Sequence, residues 1–336
     1  MKQKVATFSG EEIYAYTIEN GKGMSLTALN FGAAITEINV PDKNGLTENV
    51  VINYQDISNY EVNPYYLGIV VGRTSGRTKE GLLKFEDQAI QVEKNDGNNH
   101  LHGGIKGLAK SIWEVTEKKD SLIFEYVSPD GEDGYPGTVT FKVSYVLSED
   151  NQVTINYWAS PDKKTPINLT NHTYFNLSGN KKTDILNHSL KLASPSFYEL
   201  DKESMPVRVV KVDDHPTFDF RKGKLVKDVV DGGYEQTDIV GGGIDHPFLL
   251  DDSVEEKITL TDPESGRTLT VKTDDPAVVV YSGNQVKQTP TLNGGTAEKY
   301  AGICLETQMP PNETESYLIE KGEVYRKQTV FSFNAK

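Results

Sequence analysis

The chain is expected to be all-β, one large antiparallel β-sandwich, and three observations predict this. The dominant hydrophobic period is two, the alternation of a half-buried strand. Convincing amphipathic helices are scarce, with only Gln55-Asp56-Ile57-Ser58-Asn59-Tyr60 suggesting one short helical turn. The 29 glycines and 15 prolines are spread over all 336 residues, as in many strands joined by tight turns.

In chain order, Leu26 to Val40 is apolar and β-branched, bracketed by Asn20-Gly21 and Asn44-Gly45. Such Asn-Gly pairs favour turns with positive φ. Leu83-Lys84-Phe85 and Ala89-Ile90-Gln91-Val92, joined by Glu86-Asp87-Gln88, read as a hairpin. In Thr-Val-Thr-Phe-Lys-Val-Ser-Tyr-Val-Leu (138–147), Val139, Phe141, Val143, Tyr145 and Leu147 share one face; Val153, Ile155 and Tyr157 repeat the pattern after a polar turn. Ile258 and Leu260 lead through Pro263-Glu264-Ser265-Gly266 into Leu269 and Val271, a further hairpin. Tyr325 to Phe333 reads as a last strand. There is no low-complexity linker, composition break or internal repeat, and Gly241-Gly242-Gly243 is too short to separate domains. Residues 1–336 are therefore expected to form a single domain.

Lys plus Arg total 35 against 49 Asp plus Glu, a formal net charge of −14. That excess argues against a nucleic-acid or anionic-membrane partner, since phosphate is bound by net positive patches. Cys304 is the only cysteine, so no intrachain disulfide can form, as suits a reducing compartment. Met1 to Gly10 lacks the apolar segment of a signal peptide, and no apolar run reaches bilayer-spanning length. A cytoplasmic monomer or homodimer is expected.

Several stretches could carry chemistry. Pro166 to Gly179 sets His172 among Asn171, Thr173, Tyr174 and Asn176. Imidazole titrates near neutrality and can donate or accept a proton, although a core histidine satisfied by neighbouring hydroxyls and amides would look the same. Asn99-His100-Leu101-His102-Gly103-Gly104 puts two histidines at i and i+2, on one face if the strand continues. A metal would want more ligands, and neither a Cys cluster nor a His-x-x-x-His supplies them, so a strand-end loop offering imidazoles to a polar ligand is the more natural reading. Gly72-Arg73-Thr74-Ser75-Gly76-Arg77 lacks the Gly-Lys-Ser/Thr ending of a phosphate loop; its arginines could bind hydroxyls or carboxylates, or pair structurally. Asp130 to Gly137 reads as a turn cluster, and Asp245, before the apolar strand Pro247 to Leu250, as a turn cap or a ligand contact. Glu306 sits among Ile303, Cys304 and Leu305 ahead of Pro310-Pro311. Desolvation there would raise its pKa and make it a better base.

Taken together, the segments Gly72–Arg77, Asn99–Gly104, Asp133–Gly137, Asn171–Leu177, Gly243–Leu250 and Leu305–Pro310 resemble, in that order, those of the aldose 1-epimerase (galactose mutarotase) family. The resemblance spans nearly the whole chain. It implies a large twisted β-sandwich with sugar bound in a cleft on one face, and no metal or organic cofactor. It further implies Glu306 as general base and His172 as general acid, with Arg77, His102 and Asp245 holding sugar hydroxyls. Two departures bear on sugar preference: Ser75-Gly76-Arg77 stands where many members have Ala-Asn-Arg, and Asn284 is followed by Gln-Val-Lys rather than Phe-Leu.

The implied reaction interconverts the α and β anomers of free aldohexoses such as galactose and glucose. It needs one base at the C1 hydroxyl and one acid at the ring oxygen. Alternatives are a hexose-6-phosphate 1-epimerase, a glycoside hydrolase or lyase, which usually needs two carboxylates, and a non-catalytic carbohydrate-binding protein on the same fold.

Overall fold

The computed structural model describes residues 1–85 and 88–336. Three antiparallel sheets dominate it. A five-stranded sheet runs in sequence order through Lys2–Phe8, Glu11–Glu19, Ser25–Leu29, Ile35–Pro41 and Thr47–Asn49. A nine-stranded sheet has Val139–Leu147, Gln152–Pro161, Tyr325–Ala335 and Arg267–Thr273 at its centre. A six-stranded sheet is ordered Tyr174–Phe175, Ile303–Gln308, Ala277–Tyr281, Asp245–Leu249, Ser196–Leu200 and Pro206–Lys211.

Period-two burial makes this a sandwich. Along Val139–Leu147 every odd-numbered residue is buried and every even one half-buried. The main hydrophobic cluster joins Phe141 and Phe331 of the nine-stranded sheet to Leu26 and Ile38 of the five-stranded sheet and to Val278 and Leu305 of the six-stranded one. The nine-stranded sheet is thus covered by the other two.

The expected hairpins at 139–161 and 258–273 form, with apolar residues opposite one another, for example Tyr145↔Ile155 and Leu260↔Leu269. Leu82–Phe85 also pairs with Gln88–Gln91, and the turn at Glu86 and Asp87 lies outside the described residues. Of the two Asn-Gly turns, Gly45 has positive φ (+84°), whereas in the first it is Gly23 (+82°) that does. There the Asn20 side chain accepts from the N–H of Lys22 and of Met24, so the turn is built on the asparagine carbonyl and the left-handed residue falls two positions later.

Residues 57–60 form the expected short helical turn. Val226–Val230 and Glu235–Ile239 are α-helices that the pattern did not announce, because five residues are too few to show a helical period. Among the described residues, no helix is long and apolar enough to cross a membrane.

One buried charge ties the layers together. Arg267, on the nine-stranded sheet and fully buried, donates to the carbonyls of Val40, Leu46 and Leu177 and to the Glu48 carboxylate at 3.1 Å. Arg267→Ala would leave Glu48 buried without this partner and three carbonyls short of a donor. The expected cost is about 3–5 kcal/mol, read as a lower denaturant midpoint at unchanged slope.

Candidate active site

The six-stranded sheet has two unlike faces. Val278, Val280, Ile303, Leu305 and Phe248 point into the main core. The alternate residues Asp245, Pro247, Val279, Tyr281, Glu306 and Gln308 line a cleft of about 860 Å³. Register aligns them across three strands, with Pro247↔Val279, Val279↔Glu306 and Asp245↔Tyr281 directly opposite. The same alternation that builds the core therefore builds the cleft floor.

His172 reaches this floor from the irregular segment 168–179. Its own N–H donates to the Ile69 carbonyl and its carbonyl accepts from the Gly68 N–H, both at 2.9 Å. Tyr174 and Phe175 then pair with Cys304 and Ile303, which sets the imidazole beside Glu306. Nε2 of His172 lies 3.4 Å from Oε1 of Glu306, and Nδ1 lies 3.5 Å from Sγ of Cys304. Cys304 and Glu306 are two apart on one strand, so one strand face meets both ring nitrogens. Tyr66 and Tyr174 stack near the imidazole, with centroids at 5.9 and 5.1 Å, and His102 meets it edge-on at 5.3 Å. The surrounding asparagines serve the backbone: Asn171 Nδ2 donates to the Gly68 carbonyl and Asn176 Nδ2 to those of Thr183 and Ala301, while Thr173 Oγ1 donates to Asn171 Oδ1.

Burial tunes this pair. Glu306 is 3% exposed. Among the described residues His172 is its only ion-pair partner. Desolvation first, and then the Asp245 charge, push the Glu306 carboxyl well above its usual range, with Arg77 pulling the other way. Desolvation lowers His172 from an ordinary 6.5 to about 4.

Arg77 and Asp245 stand together. Arg77 pairs through Nε with Asp96 at 2.8 Å and through Nη1 with Asp245 at 3.9 Å. Burial lowers the guanidinium pKa, yet Asp245 and Asp96 together lift it above its ordinary value. Burial raises Asp245, against the pull of Arg77.

At Gly76 the backbone has φ +71°, and a Cβ there would lie 2.6 Å from the Pro311 ring. A side chain at this position would meet both the positive φ and the Pro311 ring, and Pro311 walls that side. Gln285, Val286 and Lys287 line another wall, at the second departure.

The stretch 99–104 is a strand end running into a loop, as expected, but only one of its two histidines is offered to the cleft. The strand ends at Leu101, and His102 has φ +52°. His100 turns away to the Glu93 carbonyl and the Tyr135 hydroxyl, while His102 lines the cleft. Of the two loop arginines, Arg73 is structural: it donates to Ser128 Oγ and to the carbonyls of Ser128, Pro129 and Pro136. Asp133, in the turn cluster, accepts from the N–H of Lys106 and Gly107, as architecture.

Ligand atoms of His102, His172 and Glu306 lie within 4.8 Å of one another, a spacing that could hold a cation. The donor set argues otherwise. The Gly76 N–H donates to His102 Nδ1 at 3.3 Å, and burial first, then His172 and Arg77, keep this ring neutral. The single ring proton is then on Nε2, which makes that nitrogen a donor to an oxygen ligand rather than a lone pair for a metal.

All five residues singled out from sequence, Glu306, His172, Arg77, His102 and Asp245, line this cleft. Sequence reasoning missed Asp96, Tyr66, Tyr281 and Cys304 as their partners. Asp96, three residues before Asn99, had a signal only in its charge within a turn.

The aldose 1-epimerase family profile matches residues 14–332. A galactose mutarotase of Mus musculus is 34% identical over 319 residues, covering 93% of this chain and 91% of that protein. An aldose 1-epimerase of Haemophilus influenzae is 34% identical over 328 residues, covering 94% of each. A crystal structure of galactose 1-epimerase from Lactobacillus acidophilus superposes with a TM-score of 0.90 at 28% identity, covering 99% of this chain and 98% of that one. With the profile covering nearly its whole length, the chain belongs to the aldose 1-epimerase family.

Proposed function

We propose that this enzyme interconverts the α and β anomers of free aldohexoses, galactose and glucose among them, with Glu306 as base and His172 as acid. The observation that carries the reading is the Glu306–His172 pair, 3.4 Å apart on the cleft floor within reach of Arg77, His102 and Asp245. Glu306 takes the proton of the C1 hydroxyl while His172 delivers one to the ring oxygen. The C1–O5 bond breaks, the aldehyde end turns about C1–C2, and the ring recloses on the other face with both transfers reversed.

The site holds one proton on two groups. Burial favours the uncharged form, carboxylic acid with neutral imidazole; attraction at 3.4 Å favours carboxylate with imidazolium. The two forms differ only in which group holds that proton, and ring opening converts the second into the first. Net charge in the buried site stays constant throughout. Arg77, Asp245 and the Nε2–H of His102 supply charged and neutral hydrogen-bond partners for the sugar hydroxyls. Asp245 is engaged with Arg77, which speaks against its service as the second carboxylate of a glycoside hydrolase. On this reading one chain forms a complete catalytic unit, as a monomer or homodimer in the cytoplasm.

Polarimetry on freshly dissolved α-D-galactose and α-D-glucose tests the reaction. Glu306→Gln should lower kcat by roughly 10²–10⁴-fold while sugar binding persists. A variant as fast as the parent would remove Glu306 from the chemistry.

The pH profile tests the shared proton. The pair is active with one proton aboard. As pH falls through about 4, His172 gains a second proton beside the already protonated Glu306, and activity drops. As pH rises past the elevated Glu306 value, the one proton leaves and activity drops again. These limits belong to the pair. The expected kcat/KM profile therefore has its acid limb near 4; an acid limb at 6.5, the ordinary histidine value, would contradict the shared-proton arrangement.

A further inference from the structure

Asp96 was not among the residues expected from the sequence, yet it bonds to the arginine of the cleft and itself lines the cleft. Its position is built by the backbone. Asp96 and Asn99 exchange N–H···O bonds at 3.1 and 2.9 Å across a tight turn, in which Gly97 takes φ +60°. The adjacent Asn95 side chain clamps Leu101 through both its N–H and its carbonyl, at 2.7 and 2.9 Å. Leu101 in turn pairs with Arg77. The carboxylate is therefore held over the arginine by the same strand pair that carries the arginine.

Two carboxylates thus share one guanidinium, Asp96 on Nε and Asp245 beside Nη1. Their two negative charges exceed the one positive charge between them, and Glu306 lines the same cleft. Lys287 and Lys299 also line it, both exposed, with Lys299 donating to the Gly241 carbonyl. Around Arg77 an entering hydroxyl finds donors and acceptors, whereas an entering phosphate finds an arginine already neutralised.

We infer that Asp96 is a positioning and specificity-determining residue acting through Arg77: it fixes the guanidinium for neutral hydroxyls and cancels its charge, so that the cleft selects free sugars over phosphorylated ones. This rests on the reading of the cleft as a sugar site.

The two parts separate by substitution. Asp96→Asn keeps an acceptor for Nε but removes the charge. The ratio of kcat/KM for glucose 6-phosphate to that for galactose should rise by roughly tenfold. Asp96→Ala also frees the guanidinium, and galactose KM should rise by roughly tenfold, more than kcat falls. In an Arg77→Lys background, which lacks the Nε–H, neither substitution should add its full effect. Asp96→Glu keeps the charge and should keep the discrimination against phosphate. Unchanged KM and ratio in the first two variants, or effects that simply add to those of Arg77→Lys, would overturn the role of Asp96. If the parent enzyme turns over neither galactose nor glucose, the mutarotase reading fails instead. Calorimetric affinities for galactose and glucose 6-phosphate then test Asp96 by the same ratios without turnover.

Discussion

The site depends on one costly contact, a carboxylate buried on the floor of a β-sheet with an imidazole as its ion-pair partner. An isolated ionised Glu306 would be expensive there, and the protein meets that cost by moving proton affinity rather than by adding donors. Every residue of Ile303–Gln308 is buried, so the strand cannot turn Glu306 to solvent on either face. The sheet register then decides what it meets. Tyr174 opposite Cys304 brings in His172, and Val279 opposite Glu306 leaves an apolar surface beside it. Dryness and alignment come from the same strand pairings.

Around that contact the structure divides its polar residues into those that hold backbone and those that face the cleft, and residue type does not predict the division. Arg73 and Arg77 are four apart in one loop. Arg73 is spent on Ser128, Pro129 and Pro136, and Arg77 enters the cleft. His100 and His102 are two apart; one is fixed by Tyr135 and the other faces His172. In both pairs a conformational change intervenes, at Gly76 with φ +71° and at His102 with φ +52°. Positive φ rotates the following chain out of strand alternation, so spacing alone cannot carry the face across it.

This also explains what could be read in advance. Long alternating strands such as Val139–Leu147 were legible because burial follows period two without interruption. Glu306 was legible because a charge inside an apolar strand contradicts its surroundings, and such contradictions concentrate at functional sites. The five-residue helices near 226–239 left no period to find. The partners Asp96, Cys304 and Tyr66 were illegible for another reason. Each contacts its site residue across a separation in sequence, 19 residues from Asp96 to Arg77 and 132 from Cys304 to His172, and no local pattern encodes such a pairing.

The direction of the two pKa shifts bears on why this pair suits a reaction with no net chemical change. A carboxylic acid and an imidazolium differ in acidity in water by about two units. Burial raises the carboxyl and lowers the imidazole, which closes that gap from both sides and reverses the order of the two groups. Attraction between carboxylate and imidazolium at 3.4 Å works against that reversal, so that either group can hold the proton. An anomer exchange runs through the same atoms forwards and backwards, so a base that was much too strong in one direction would be much too weak an acid in the other. The desolvation that makes Glu306 costly to bury therefore favours the state that ring opening reaches, while the attraction within the pair favours the state from which it starts.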